Sequence, residues 1–149
     1  MFCDIIFASE NAKIGDPHVA IGLVAGDGGA AIWPQRIGLC MAKEFLLTGD
    51  LLDARRAFEI GLINYCLPSE ELDAAVDAMC DRLLAGAQDA LRWTKVLLNQ
   101  ELKRVTHSVL ETGLAYESLS VRTEDHREAV SAMKEKRRPN FGGERGRAS

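Results

Sequence analysis

The sequence predicts an α/β layer packed against a trailing, largely helical region, and three features predict it. Residues 1–67 alternate short apolar runs with glycine-rich turns, the pattern of strands and short helices joined tightly. From Ser69 onward, apolar residues recur at spacings of three and four, the period of amphipathic helices. Composition agrees, because 47% apolar and 27% charged residues over 149 positions is the balance of a chain that folds around a core.

In chain order, Cys3–Ala8 is short, apolar and rich in isoleucine and phenylalanine, and reads as a buried strand. Lys13–Gly15 is a second, very short strand. Gly22–Gly29 is a glycine-rich loop that opens a helix near Gly28 or Gly29, and Pro34 marks a kink in it or the junction of two short helices. A helix over about Leu39–Leu47 stops at Gly49, whose place suits a left-handed C′ residue. Asp53 caps the next short helix, which ends at Gly61, and Leu62–Leu67 is a further strand closed by Pro68.

In the second part Ser69 is an N-cap, and Leu72, Val76, Met79 and Leu83 line one face of a helix that ends at Gly86. Two more helices are expected, over about Ala90–Val105 and Ser108–Arg122. Thr123 caps a last one, with Glu124 and Asp125 in its first turn and Lys134, Lys136, Arg137 and Arg138 near its end, an order that complements the helix dipole. Met1 sits directly on the first strand. A parallel strand needs neighbours, so we expect its partners upstream or on another chain, and expect a chain truncated at its N-terminus.

A net charge of −4 gives no electrostatic footprint for nucleic acid. No apolar run approaches the roughly 20 residues that cross a bilayer. Asp4 and Glu10 interrupt the first residues, which lack the basic start of a secretory signal. Cys3, Cys40, Cys66 and Cys80 form no CxxC pair, which predicts buried, reduced thiols in the cytoplasm and no metal site.

The segments Cys3-Asp4-Ile5, Ala8-Ser9-Glu10, Gly15-Asp16-Pro17-His18, Gly22-Leu-Val-Ala-Gly-Asp-Gly-Gly29 and Leu47-Thr48-Gly49-Asp50 follow in fixed order, with Gly61-Leu62-Ile63 further on. The closing Asp125, Arg127-Glu128-Ala129, Ala132, Glu135-Lys136-Arg137, Pro139 and Phe141 extend the pattern. Together they resemble the enoyl-CoA hydratase/isomerase family, the crotonase superfamily. The resemblance implies a crotonase-type α/β fold, with residues 1–67 as the C-terminal part of its core, 68–141 as a helical oligomerisation region, and 142–149 as a flexible tail. It further implies an acyl-CoA thioester substrate, coenzyme A as part of that substrate with no covalent cofactor, and assembly as a homotrimer or hexamer.

Carried over residue by residue, the resemblance puts His18 where family hydratases hold a catalytic glutamate after the proline of Gly-x-Pro. The other glutamate and both oxyanion-hole N–H groups would lie before Met1. His18 has two readings: an imidazole general acid/base able to exchange protons near neutrality, or a polar residue in a site whose chemistry has changed. Asp27 lies one residue after the position of an acid in related isomerases. It either begins the following helix or pairs with His18. Gly22, Gly26, Gly28 and Gly29 would let the loop lie against the acyl chain. Met133 and Lys136 match positions near the cofactor's adenine and phosphates, while Lys134, Lys136, Arg137 and Arg138 equally suit a solvated helix end. Three functions stay open: a CoA-thioester lyase or isomerase, a non-catalytic paralogue that oligomerises or binds acyl-CoA, and a crotonase-fold enzyme with different chemistry at His18.

Overall fold

The computed structural model describes residues 1–142; the last seven residues, most of the expected 142–149 tail, lie outside them. Strand β1 (Phe7–Ser9) pairs in parallel with β4 (Tyr65–Leu67), in the register Phe7 to Tyr65, Ala8 to Cys66 and Ser9 to Leu67. The Phe7 and Tyr65 rings stack at 4.4 Å across that pair. A parallel pair requires a long crossover, and here it carries β2 (Lys13–Ile14), α1 (Gly29–Thr48), β3 (Leu52–Asp53) and α2 (Ala54–Glu59). β2 and β3 form a small antiparallel pair. The first strand therefore has a partner within this chain, contrary to expectation.

Both longer strands are shorter than their apolar runs suggest, because their neighbours satisfy their backbones in other ways. Arg36 donates to the carbonyls of Met1 at 3.0 Å and Cys3 at 2.6 Å, and the Asn64 side chain accepts from the Ile6 N–H at 2.9 Å. The Leu62 and Ile63 N–H groups both turn back to the Ala57 carbonyl, so only Tyr65–Leu67 joins the ladder.

Helix α1 begins at Gly29 as expected, but its break is not at Pro34. The chain leaves helical geometry at Gly38 (φ 77°, ψ 159°), four residues later, where only glycine accepts the conformation without strain. Gly49 closes the second segment in the left-handed region, at φ 72°. Asp53 caps α2 by accepting from the Arg56 N–H at 2.7 Å, and Gly61 follows at φ 80°. The core beneath is built from Ala8, Ile32, Trp33, Ala42, Leu52, Ala54, Ala57, Leu62, Ile63 and Cys66. Trp33 is thereby a core residue, tilted against Phe45, whereas Trp93 is exposed.

Helix α3 (Leu72–Leu84) starts after a 3₁₀ turn at Ser69–Glu71, and Ser69 caps nothing. Its hydroxyl bonds instead to that of Ser9, 2.6 Å away. The two helices expected over 90–122 are one, α4 (Gln88–Ser120). The polar run Thr106-His107-Ser108 does not break it, because the Thr106 and Ser108 hydroxyls donate to the carbonyls of Leu102 and Val105 inside the helix. Thr123 caps α5 (Glu124–Lys134) as expected, accepting from the His126 N–H. Leu102 of α4 packs on the core, joining the helical part to the strand part. Cys3, Cys40 and Cys80 are exposed and only Cys66 is buried, correcting the expectation of four buried thiols. Among the described residues no helix is long and apolar enough to cross a membrane.

Candidate functional site

The Asp16-Pro17-His18 turn and the loop that follows it converge on one polar cluster. Pro17 leads into a 3₁₀ turn over His18–Ile21, which Gly22 ends at φ 68°. That turn places the His18 ring between two carboxylates. Its Nδ1 is hydrogen-bonded to Oδ1 of Asp16, and its Nε2 lies 3.7 Å from Oδ2 of Asp27. Asp16 is buried, with 9% of its side chain exposed, while Asp27 is open to solvent at 56% and His18 intermediate at 23%.

The environment of the imidazole has opposed parts. Burial works against its charged form. The hydrogen bond that the ring donates to Asp16 and the charges of Asp16, Asp27 and Glu117 outweigh that, so the pKa is raised above the ordinary 6.5. A ring held at Nδ1 by a buried carboxylate has a fixed orientation, and its Nε2 is the edge left to exchange a proton. The Asp16, His18 and Asp27 donor atoms all lie within 4.8 Å of one another.

The loop from Gly22 to Gly29 is fixed by close packing. A Cβ at Gly22 would sit 2.7 Å from the His126 nitrogen, so the loop lies directly on the first turn of α5. Gly26 meets Gly113 of α4 backbone to backbone, where a Cβ would be 2.5 Å from the Gly113 carbonyl carbon. The Val24 N–H donates to the Ser120 hydroxyl at 3.2 Å, and His126 Nδ1 is bonded to the Ile21 carbonyl at 2.8 Å. His126 therefore holds one end of this loop. Gly28, at φ 135°, faces the Phe2 ring. A Cβ at Gly29 would collide with the Asp16 carboxylate, so that glycine makes room for the group that orients His18.

Asp27 precedes α1 but makes no side-chain cap, since the N-cap residue is Gly28 and no side chain bonds there. Of its two expected roles, the structure places it beside His18. Met133 is 66% exposed near the end of α5. Lys136 stands beyond the helix at φ 55°, its N–H bonded to the Met133 carbonyl. Arg137 is exposed but paired, its Nη2 donating to the Glu128 carboxylate at 2.9 Å and its Nε to the Glu135 carboxylate at 2.6 Å. The sequence reading missed Asp16. The signal for it was present, because a carboxylate two residues before a histidine across a proline has few places to go.

An open groove of about 770 Å³ lies elsewhere, between the N-terminal segment, α3 and α4, lined by Phe2, Ile5, Leu84, Leu91, Leu98 and Leu102 among others. None of His18, Asp27, Met133 and Lys136 lines it.

Comparison with known proteins fixes the family. Residues 1–144 match the family described as enoyl-CoA hydratase/isomerase. The chain belongs to that family. It is 36% identical over 95% of its length to a crotonyl-CoA hydratase of Syntrophomonas wolfei, covering 54% of that protein. The crystal structure of an enoyl-CoA hydratase/isomerase from Mycobacterium paratuberculosis superposes with a TM-score of 0.80 at 42% identity, over 86% of this chain and 51% of that one. A β-diketone hydrolase from the cyanobacterium Anabaena, solved with (S)-3-oxocyclohexyl acetic acid bound, superposes at 0.74 with 36% identity, over 78% and 47% of the two chains. The crotonase-type fold expected from the sequence is the fold observed. The chain spans about half the length of the curated relatives it matches.

Proposed function

We propose that this member of the enoyl-CoA hydratase/isomerase family carries out proton transfer on an acyl-CoA thioester, with His18 as a general acid/base. The observation that carries the reading is the Asp16–His18 pair. A buried carboxylate orients the imidazole and leaves Nε2 available, at the position where the resemblance puts a family glutamate. Asp27, 3.7 Å from Nε2, stabilises the protonated ring between transfers. Lys136 and Met133, exposed at the end of α5, are the proposed contacts for coenzyme A, and Gly22, Gly26, Gly28 and Gly29 shape the loop beside the acyl group. The exposed apolar side chains of Trp93, Val96 and Leu97 support assembly as a homotrimer or hexamer. A cytoplasmic lyase is the form of the enzyme proposed.

The test is hydration of crotonyl-CoA by the wild-type chain and by His18→Gln. Loss of about 100-fold in kcat is expected from removing a positioned acid/base. Equal rates would remove His18 from the chemistry, and thioester binding without turnover by the wild-type chain would favour a non-catalytic role.

A second reading is hydrolysis of a carbon–carbon bond in a β-diketone. Two observations favour it: a histidine stands where hydratases of the family hold glutamate, and a solved β-diketone hydrolase is 36% identical over 78% of the chain. Turnover of cyclohexane-1,3-dione without turnover of crotonyl-CoA would select this reading over the first.

A further inference from the structure

We propose that Glu117 is the second acid–base group of this site, acting together with His18. The inference rests on His18 being the first, and extends that reading to a residue on a different element.

Three observations carry it. Glu117 Oε2 is buried and, among the described residues, has no hydrogen-bond partner. A carboxylate oxygen withdrawn from water without a donor is costly to maintain, and a site that brings its own donor, such as a water or a substrate proton, removes that cost. The residue is also held in place. Glu117 Cβ lies 3.0 Å from where a Cβ on Gly26 would be, beside Asp27, because the Gly26–Gly113 contact brings α4 against the loop. One turn on, the Ser120 hydroxyl receives the Val24 N–H and donates to the Glu117 carbonyl at 2.6 Å, pinning that stretch of helix to the same loop. Finally, the charge of Glu117 is among those that raise the His18 pKa, which places its carboxylate within electrostatic reach of the ring.

Two groups suit the chemistry of either proposed substrate. In hydration of an enoyl thioester, Glu117 takes a proton from water as the water oxygen bonds to the β-carbon. The imidazolium of His18 gives a proton to the α-carbon. Water has then been added, and one proton has moved from His18 to Glu117; its return through solvent restores both groups. In β-diketone hydrolysis the same pair serves, with water adding to a carbonyl carbon, the carbon–carbon bond breaking, and the released carbon taking the proton of His18.

The experiment compares wild type, Glu117→Gln and His18→Gln on crotonyl-CoA and on cyclohexane-1,3-dione, with an NMR titration of the His18 ring in wild type and Glu117→Gln. The groups facing His18 are Asp16 and Asp27 from its own loop and Glu117 from α4. We expect Glu117→Gln to lower kcat about 100-fold with KM within about threefold, and to move the His18 titration downward. If His18→Gln abolishes turnover while Glu117→Gln leaves kcat within threefold of wild type, this inference falls and the role of His18 stands. If wild type turns over neither probe, the proposed reaction falls, and the titration decides the pairing: an unchanged His18 pKa in Glu117→Gln overturns it, and a lowered one sustains it.

Discussion

Gly26→Ala should destabilise the protein by driving the loop away from α4, and the structure says by how much. The new Cβ would lie 2.5 Å from the Gly113 carbonyl carbon and 3.0 Å from Glu117 Cβ. The first of these is main chain of a 33-residue helix, so it cannot swing aside as a side-chain tip would. Overpacking of this kind costs about 1–3 kcal/mol. Separation of loop and helix would also stretch the 3.2 Å bond from the Val24 N–H to Ser120, adding about 1 kcal/mol. A total of about 2–4 kcal/mol follows. The assay is urea unfolding followed by circular dichroism, with Gly38→Ala as comparison. Among the described residues, nothing outside its own helical segment lies within 4 Å of a would-be Gly38 Cβ, so that substitution carries only the strain of φ 77°, ψ 159°, a region essentially confined to glycine, for which about 1–3 kcal/mol is expected. A Gly26→Ala cost below about 1 kcal/mol, under the range for overpacking against main chain, would mean that the loop is not clamped to α4 as described, and the placement of Glu117 would fail with it.

Asp53→Ala should cost about 1 kcal/mol, because it removes the acceptor for the Arg56 N–H at the start of α2; the same unfolding assay checks this. Thr123→Ala should lose a similar amount and increase hydrogen exchange in the first turn of α5. Asp16→Asn should lower the His18 pKa, since it replaces the charge that accepts the Nδ1 hydrogen bond; NMR titration of the ring reads it directly. The sign for stability follows. His18 is raised when folded, so its contribution is full below pH 6.5 and is lost as pH rises through the folded value, and Asp16→Asn should flatten that part of the stability profile. Glu128 behaves oppositely. Hydrogen bonds from the Arg137 side chain and the Asn140 N–H hold its carboxyl at about 2, so the turn after α5 should stay tied to the helix down to that pH and come loose below it, as followed by Asn140 amide exchange.

Local signals carried the caps and stops. Gly49, Asp53, Gly61 and Thr123 act where their chemistry says they should, because a cap depends on residues within one turn. Elements whose limits depend on distant partners were read less well. Cys3–Ala8 looked like six residues of strand, but Arg36 takes up the Cys3 carbonyl and Asn64 the Ile6 N–H, and only Phe7 onward joins the ladder. Ser69 looked like a cap and is held by Ser9, 60 residues earlier. The break expected near His107 is bridged by two hydroxyls that bond within the helix. The site followed the same rule. His18 and Asp27 could be named from the glycine-rich segment and its family resemblance. Glu117 could not, because nothing in the sequence says that residue 113 meets residue 26.

That meeting also explains why the glycines are spaced as they are. Gly22 admits the start of α5, Gly26 admits α4, and Gly29 admits the carboxylate of Asp16, so each methyl omitted lets a different element reach the loop. Two of those approaches are structural and one is electrostatic, yet they act on the same eight residues. The loop can hold His18 in a fixed orientation only if Asp16 is seated beside Gly29. Its position relative to Glu117 is fixed only if Gly26 lies on Gly113. Crowding at either contact would therefore reach the imidazole without touching it. A Gly29 substitution should act through the Nδ1 bond and depress the His18 pKa, while a Gly113 substitution should withdraw Glu117 and depress it by a separate route. The two effects should add when the substitutions are combined, because the contacts share no side chain. Full non-additivity would mean that the loop moves as one rigid piece, and that the three glycine contacts are a single structural device.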